Sequence, residues 1–327
     1  MTRAPPRGVI AIDKVGNVIR FYDPVSLKET RVLAGPEPAV HELAVAPDRR
    51  TAFVPLYGDG IYGNNKNPNN KVVVVDLHRQ AIASIVDLGQ YVAPHGMVAL
   101  SDGSLWVVCD IGQVLLEIDP AEGKVAAAFE CPAKGPHLVG ATPNETKLYV
   151  SCKEGPLQVF DVQRGEFTGS IPIGNPKIPS GNGSGCEGLA FSGDRKRLAV
   201  IDNDESDLHI IDTKTDREIE RVPLENHPPT NVKRSRLAKP AFSPGDRPLV
   251  VTSYATGAVW ILDSDDSRRQ RIVPVAKGPM GILFTPDGET AIVANHDSGV
   301  LTRIDLASAR AVGVHEGGSG IEVLAYY

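Results

Sequence analysis

The 327-residue sequence lacks the features of a membrane or exported protein. No apolar run reaches the roughly 18 residues that a membrane-spanning helix needs. The opening residues contain no apolar stretch of the kind found in a signal peptide, and they lead directly into a strand pattern. These absences predict a cytoplasmic protein with no membrane partner.

Cysteine, aromatic residues and positive charge are also scarce. The four cysteines include no Cys-x-x-Cys pair, which disfavours a disulfide framework. Aromatic residues make up 6% of the chain and leave few anchors for a large protein-docking surface. The formal net charge of −6 argues against a nucleic-acid partner, because nucleic-acid binding requires a basic face.

Several familiar catalytic motifs are missing. The sequence has no Gly-x-Ser-x-Gly turn and no Walker-type phosphate loop. Its most glycine-rich stretch, residues 180–185, is followed by no helical pattern, so no helix dipole is available to hold a phosphate. These absences exclude serine hydrolases with a Gly-x-Ser-x-Gly turn, phosphoryl-transfer enzymes and dinucleotide-dependent enzymes.

What the sequence does contain is a repeated turn, roughly every 40 to 55 residues. This spacing is the length of a four-stranded propeller blade. The turns are Pro47-Asp48, Ser101-Asp102-Gly103, Pro143-Asn144-Glu145, Gly193-Asp194, Pro244-Gly245-Asp246 and Pro286-Asp287-Gly288. In the second repeat, β-forming residues predict strands over 96–100, 105–109, 114–118 and 125–129.

The two ends of the chain complete one another. The sequence opens on three predicted strands without an inner strand before them, and it closes on a lone inner strand, residues 321–326. Together they make one four-stranded blade. We therefore predict an all-β, seven-bladed β-propeller of four-stranded blades, closed by pairing of the N-terminal strands with the C-terminal inner strand. Residues 1–327 form a single domain in this prediction.

The repeats resemble the YVTN-type, lactonase-like seven-bladed propellers. The resemblance is carried by segments such as residues 278–295, which read GPMGILFTPDGETAIVAN. It covers nearly the whole chain and implies the propeller fold. For function it implies less, because the group includes enzymes, binding proteins and proteins of no known activity.

One repeat position carries metal-ligating residue types. Five of the seven copies have His41, His95, His137, Glu187 or Glu322 there, and the remaining two have Ala238 and Met280. Equivalent residues of a propeller lie on one ring around the channel, so we expect these five side chains to converge. Imidazole and carboxylate ligands suit a divalent transition metal such as zinc, manganese, iron or nickel. Each histidine taken singly is also compatible with a structural role, His95 above all.

The long loops are predicted to lie on the face where this ring opens. They are residues 57–70, 174–186 and 225–239. The glycines of the first loop let the backbone fold over the channel mouth, which makes Tyr57, Asp59 and Tyr62 candidate catalytic proton donors or acceptors. The alternative for this loop is a solvated Asn/Gly excursion.

Basic residues cluster in the blade-joining loops of the same face. Such a collar favours a small anionic, carboxylated substrate, although a short basic run is also typical of a solvated loop. The residues are Lys134, Lys177, Lys233, Arg234, Arg236 and Lys239.

Two functions follow from these patterns. The first is a metal-dependent enzyme with a three-histidine and glutamate site in the central channel, acting as a lyase or as a lactone or ester hydrolase. Glu322 is either a ligand or an acid/base in this hypothesis. The ring has three histidines where propeller oxygenases use four, which disfavours oxygenase chemistry. The second function is a non-catalytic binding or scaffold propeller. The oligomeric state stays open.

Overall fold

The computed structural model describes residues 5–173, 185–202, 207–224, 237–263 and 265–327. Within these ranges the chain forms seven antiparallel sheets of four strands each, arranged as a ring. A short 3₁₀ turn, Pro244–Asp246, is the one helical element of the described residues, which thus contain no helix able to cross a membrane. The protein is an all-β, seven-bladed β-propeller, as the sequence predicted.

We number the sheets 1 to 7 around the ring. Sheet 1 contains β1 (Val9–Asp13), β2 (Val18–Tyr22), β3 (Glu29–Ala34) and β28 (Ile321–Tyr326). Sheet 2 contains β4 (Ala44–Val45), β5 (Thr51–Gly58), β6 (Pro68–Asp76) and β7 (Ala81–Asp87). Sheet 3 contains β8 (Pro94–Ala99), β9 (Leu105–Cys109), β10 (Val114–Asp119) and β11 (Lys124–Glu130).

In sheets 4 to 7, as in sheets 2 and 3, the strands run from the channel outwards in chain order. Sheet 4 contains β12 (Lys134–Ala141), β13 (Lys147–Glu154), β14 (Leu157–Asp161) and β15 (Glu166–Ile171). Sheet 5 contains β16 (Cys186–Phe191), β17 (Arg197–Asp202), β18 (Asp207–Asp212) and β19 (Arg217–Pro223). Sheet 6 contains β20 (Leu237–Phe242), β21 (Leu249–Ser253), β22 (Ala258–Leu262) and β23 (Gln270–Pro274). Sheet 7 contains β24 (Pro279–Phe284), β25 (Thr290–Asn295), β26 (Val300–Asp305) and β27 (Arg310–Glu316).

Sheet 1 joins the two ends of the chain. Strand β28 pairs antiparallel with β1, with Val9 opposite Tyr326 and Ala11 opposite Leu324. The strand predicted over 321–326 therefore exists with those bounds and closes the ring as expected. Closure covers edges that would otherwise be open to pairing with other chains.

Apolar side chains between neighbouring sheets hold the ring together. The second strand of a sheet is buried on both faces, as in β9, where all five residues are buried, whereas the outer β11 alternates between exposed and partly buried positions. Trp106 and Trp260 are only 2% and 1% exposed, so both are core residues rather than docking anchors. A buried large apolar side chain contributes roughly 1.5–3 kcal/mol. The interfaces between blades therefore hold the fold, and the channel is left free for polar residues.

Deletion of residues 320–327 should abolish the native fold. The deletion removes β28, so both β1 and β24 lose a neighbour on the channel side. Leu324→Ala is the matched comparison, because it keeps the backbone pairing and should cost only about 2–5 kcal/mol. Soluble yield and thermal melting measure both changes. A truncated protein that melts like the native one would contradict closure through this strand.

Candidate functional site

A β-bulge near the start of the inner strands shapes the channel wall. In sheet 3, Pro94 pairs with Cys109, but the next pair is Met97 with Val107, so the inner strand holds one extra residue. The same shift occurs in sheets 1, 4, 5, 6 and 7. A bulge bends the strand and re-aims the side chain at the irregularity. His95 occupies this point and faces the channel cavity.

The residue that follows the last paired residue before the bulge of each inner segment belongs to what we call the inner ring. In sheet order its members are Glu322, His41, His95, His137, Glu187, Ala238 and Met280. The five predicted ligands thus occupy five consecutive sheets. All five line one cavity, together with Met280.

The three imidazoles of the inner ring contact one another. The ring centroids of His41 and His95 are 4.4 Å apart, with an interplanar angle of 88°. Those of His95 and His137 are 3.9 Å apart, with an angle of 37°. All three side chains are buried. The repeat position has therefore brought three distant histidines into direct contact.

Glu322 and its partners lie at one end of this row. The carboxylate contacts Nδ1 of His41, and Nζ of Lys14 lies 3.6 Å from Glu322 Oε1. Burial by itself would raise the pKa of Glu322, but attraction to His41 and Lys14 outweighs burial and lowers the pKa to about 2. Glu322 is thus a carboxylate at neutral pH.

Glu187 and its partners lie at the other end. Nζ of Lys153 donates to Glu187 Oε1 at 2.6 Å, and Nε2 of His137 lies 3.3 Å from the same oxygen. Burial opposes ionisation of this carboxyl as well, yet attraction to Lys153 and His137 brings its pKa well below the usual range. Burial, reinforced by the charge of Lys153, lowers the pKa of His137 to about 3, so its imidazole is neutral.

The central imidazole has a defined tautomer. Nδ1 of His95 lies 2.9 Å from the backbone carbonyl oxygen of His137. A carbonyl oxygen only accepts, so Nδ1 carries the proton and Nε2 keeps a lone pair. Burial lowers the pKa of His95 well below its ordinary value, and the neighbouring His137 and His41 lower it further. Gly96 permits the close approach, because a Cβ there would lie 2.5 Å from the same carbonyl oxygen.

The side chains of the inner ring are not gathered into a coordination sphere. In the part of the chain that the structure describes, no group of three or more His, Cys, Asp or Glu side chains is arranged to hold a metal ion. The ion pairs give the physical reason, because Glu187 and Glu322 are each held by a lysine and an imidazole. The sequence thus placed the five residues together but did not predict that lysines take up the carboxylates.

The cavity above the inner ring has a volume of about 720 Å³. Its wall combines the charged and imidazole side chains with the apolar residues Val15, Ala39, Ile61, Leu138 and Met280. Lys239 of sheet 6 reaches across the channel and donates to both carboxylate oxygens of Glu42 in sheet 2, at 2.9 and 3.0 Å. This pair ties opposite sides of the ring together.

Tyr57 is placed differently from the prediction. It lies in β5 rather than in the loop, is fully buried, and packs its ring 4.9 Å from His41 and 5.3 Å from His95. Its hydroxyl donates to Asp110 Oδ2 at 2.6 Å. Burial raises the pKa of Tyr57 far above its usual value and raises that of Asp110 to about 6. The ring of Tyr57 therefore packs against both imidazoles and supports them.

Residues 59–67 form a loop that contributes to the cavity wall. Asp59 accepts hydrogen bonds from the backbone and side-chain nitrogens of Asn67 and so closes the base of the loop. Tyr62 reaches two sheets further, where its hydroxyl donates to Glu154 Oε1 at 2.6 Å. Its ring lies against Gly135, where a Cβ would be 2.7 Å from the ring. Both Asp59 and Tyr62 line the cavity.

Sequence reasoning missed two site residues, Lys14 and Glu42. Asp13, the last residue of β1, is buried within sheet 1 and accepts hydrogen bonds from Arg20 and Gly16. Lys14 is the residue that lines the cavity. The signal was available, because Asp13 stands five residues before the next strand, as Cys109 does, which makes Lys14 the counterpart of Asp110.

The predicted basic collar is only partly described. Lys177, Lys233, Arg234 and Arg236 lie outside the described residues. Lys134 is exposed at the start of β12, and Lys239 is engaged by Glu42. The cations at the imidazoles are instead Lys14 and Lys153.

Comparison with known proteins supports the fold. No protein-family model and no curated protein sequence matches the chain. By structure the chain is similar to hydrazine synthase of Kuenenia stuttgartiensis, with a TM-score of 0.69 and 16% identity over 86% of this chain and 87% of that chain. This likeness concerns the propeller architecture. Membership of the YVTN-type, lactonase-like group stays a prediction.

Asp110→Asn should stabilise the protein at neutral and alkaline pH. The pKa of Asp110 is about 6 in the folded protein and ordinarily 3.8. The contribution of this carboxyl to the free energy of unfolding is therefore full below pH 4 and is lost as the pH rises through 6. The cost at pH 8 is about 3 kcal/mol at most. In urea denaturation the variant should have a higher free energy of unfolding than the native protein at pH 8, and this difference should shrink by about 2 kcal/mol at pH 4.5. A constant difference across this range would contradict the shift.

Tyr62→Phe should loosen the loop over the cavity. The variant loses the hydrogen bond to Glu154, worth about 1 kcal/mol, so amide hydrogen exchange in residues 59–67 should accelerate roughly fivefold. Tyr254→Phe is the matched control, since its hydroxyl bonds Asp297 in sheet 7. Exchange in residues 59–67 should be unchanged in the control. Equal protection in the Tyr62 variant would show that other contacts hold the loop.

Proposed function

We propose that the protein is a divalent-metal-dependent enzyme that acts on a small carboxylated substrate, as a lyase or as a lactone or ester hydrolase. One observation carries the proposal. Three imidazoles, those of His41, His95 and His137, meet at the base of a cavity of about 720 Å³ with a carboxylate at each end of the row. Neutral imidazole with carboxylate is a common ligand set for zinc, iron and manganese.

Three features of the residues fit a metal ion. The carbonyl bonded to His95 Nδ1 leaves Nε2 with a lone pair, which is how ligating histidines are usually held. Nδ1 of His137 is buried without a hydrogen-bond partner. The low pKa values keep Glu187 and Glu322 ionised and His137 neutral, the protonation states that metal binding requires. A bound divalent cation supplies a Lewis acid that polarises a carbonyl or activates water.

The surrounding residues have separate tasks in this proposal. Tyr57 fixes the positions of His41 and His95 through its ring, with Asp110 as its anchor. The loop of residues 59–67 excludes water, and Asp59 holds the base of that loop. Tyr62 and Tyr254 both line the cavity, and Tyr62 is the proton donor or acceptor that we favour because it lies in the loop beside Glu154.

A second candidate is binding of an anion without catalysis. It is favoured by the ion pairs that already occupy Glu187 and Glu322, and by the lack of a preformed coordination sphere among the described residues. A ligand-binding propeller needs the cavity and the lysines but no metal. The two functions differ in whether a metal binds and in whether a substrate is turned over.

Zinc binding to the native protein and to histidine variants tests the proposal. His41→Ala, His95→Ala and His137→Ala should each weaken zinc affinity in titration calorimetry by more than the roughly 10–100-fold that loss of an outer-shell partner costs. His315→Ala on the outer strand β27 is the matched control and should bind zinc like the native protein. Zinc binding that survives in all three ring variants would contradict the site.

Turnover is measured on the same proteins. Zinc-, manganese-, iron- and nickel-loaded forms are assayed against carboxylated lactones, carboxylated esters and carboxylates with a β-leaving group. Turnover in a loaded native protein that is absent in His95→Ala supports the enzyme, and Tyr62→Phe should lower it by about 10²–10⁴-fold. Ligand binding without turnover across the panel would favour the non-catalytic alternative.

A further inference from the structure

Charges around the row of imidazoles are balanced in pairs. Lys14 lies beside Glu322 and Lys153 beside Glu187, so each ring carboxylate has one ammonium partner. The remaining buried pair of the cavity, Lys239 with Glu42, is balanced by itself. The site therefore carries no excess charge as long as these contacts persist.

A divalent cation would upset this balance. Binding to the imidazoles and to both ring carboxylates would draw Glu322 and Glu187 away from their lysines. The side chains of Lys14 and Lys153 are only 16% and 11% exposed, so water solvates them poorly. Unpaired charge in such a place is costly. Two negative charges from a ligand would remove that cost.

The positions of Lys14 and Lys153 determine how far apart the two negative charges of the ligand must lie. Lys14 directly follows β1 in sheet 1, and Lys153 lies in β13 in sheet 4. Three places in a ring of seven put them close to opposite sides of the channel. A compact dianion such as sulfate can meet one of the two lysines, whereas a molecule with a carboxylate at each end can meet both.

We propose that the ligand of this cavity is a small dicarboxylate whose ends bind Lys14 and Lys153, and that its binding is coupled to that of the divalent cation. The inference rests on the proposed metal site and narrows its substrate class. Met280, which lines the same cavity, offers apolar contact to the carbon chain of such a ligand.

Succinate and butyrate are the probes, because both have four carbons and differ in one carboxylate. Titration calorimetry measures their affinities for metal-free protein and for protein loaded with one equivalent of zinc. Zinc should tighten succinate binding within the usual coupling range of roughly 5- to 150-fold and change butyrate binding much less. By reciprocity, succinate should tighten zinc binding by the same factor.

Lys14→Met and Lys153→Met test the lysine contacts proposed for the two ends of the dicarboxylate. Methionine keeps an unbranched side chain and removes the charge, so each variant should still bind zinc while its succinate affinity falls to that for butyrate. Lys66→Met is the control, since Lys66 lines the cavity from the loop but makes no ion pair in the described part of the chain. It should keep the coupling.

The outcomes separate this inference from the proposed function. Zinc binding without tighter succinate binding overturns the dicarboxylate inference and leaves the metal site intact. Coupling that persists in both lysine variants, or that is lost equally in Lys66→Met, also overturns the inference. Failure of the native protein to bind zinc overturns both proposals. The comparison of succinate with butyrate on the native protein tests the dicarboxylate inference even if a lysine variant fails to fold.

Discussion

The pairing of β28 with β1 is the interaction on which the rest of the structure depends. It makes one sheet from the two ends of the chain and leaves no sheet without neighbours in the ring. Because Glu322 belongs to β28, the same pairing places its carboxylate beside His41 of the next sheet. Closure of the fold and completion of the charged row therefore depend on the same strand pairing.

In the closed ring, apolar and polar residues of each blade occupy different places. Apolar residues fill the interfaces between sheets, and the bulges near the start of the inner strands direct polar residues into the channel. Buried charge is tolerated only when it is paired. Lys14, Lys153 and Lys239 supply those partners, so the channel combines high charge density with local neutrality.

The burial of Asp110 costs stability at the place where it supports the inner ring. Its carboxyl is buried with Tyr57 as a hydrogen-bond donor, and burial raises its pKa to about 6. A neutral amide would be less costly there at neutral pH. The carboxyl instead anchors the Tyr57 ring, which packs against both His41 and His95.

The sequence by itself determined the architecture and the inner ring. Strands follow from local alternation and turn residues, which is why residues 321–326 were predicted with the observed bounds. His41, His95 and His137 were predicted to meet because a repeat places equivalent residues at equivalent positions. The tertiary structure alone decided their partners. The bond from Tyr57 to Asp110 and the reach of Lys239 to Glu42 depend on side chains that pack across separate blades. No local pattern encodes such contacts, because they join residues far apart in the chain and their energies depend on burial that exists only once the ring has closed.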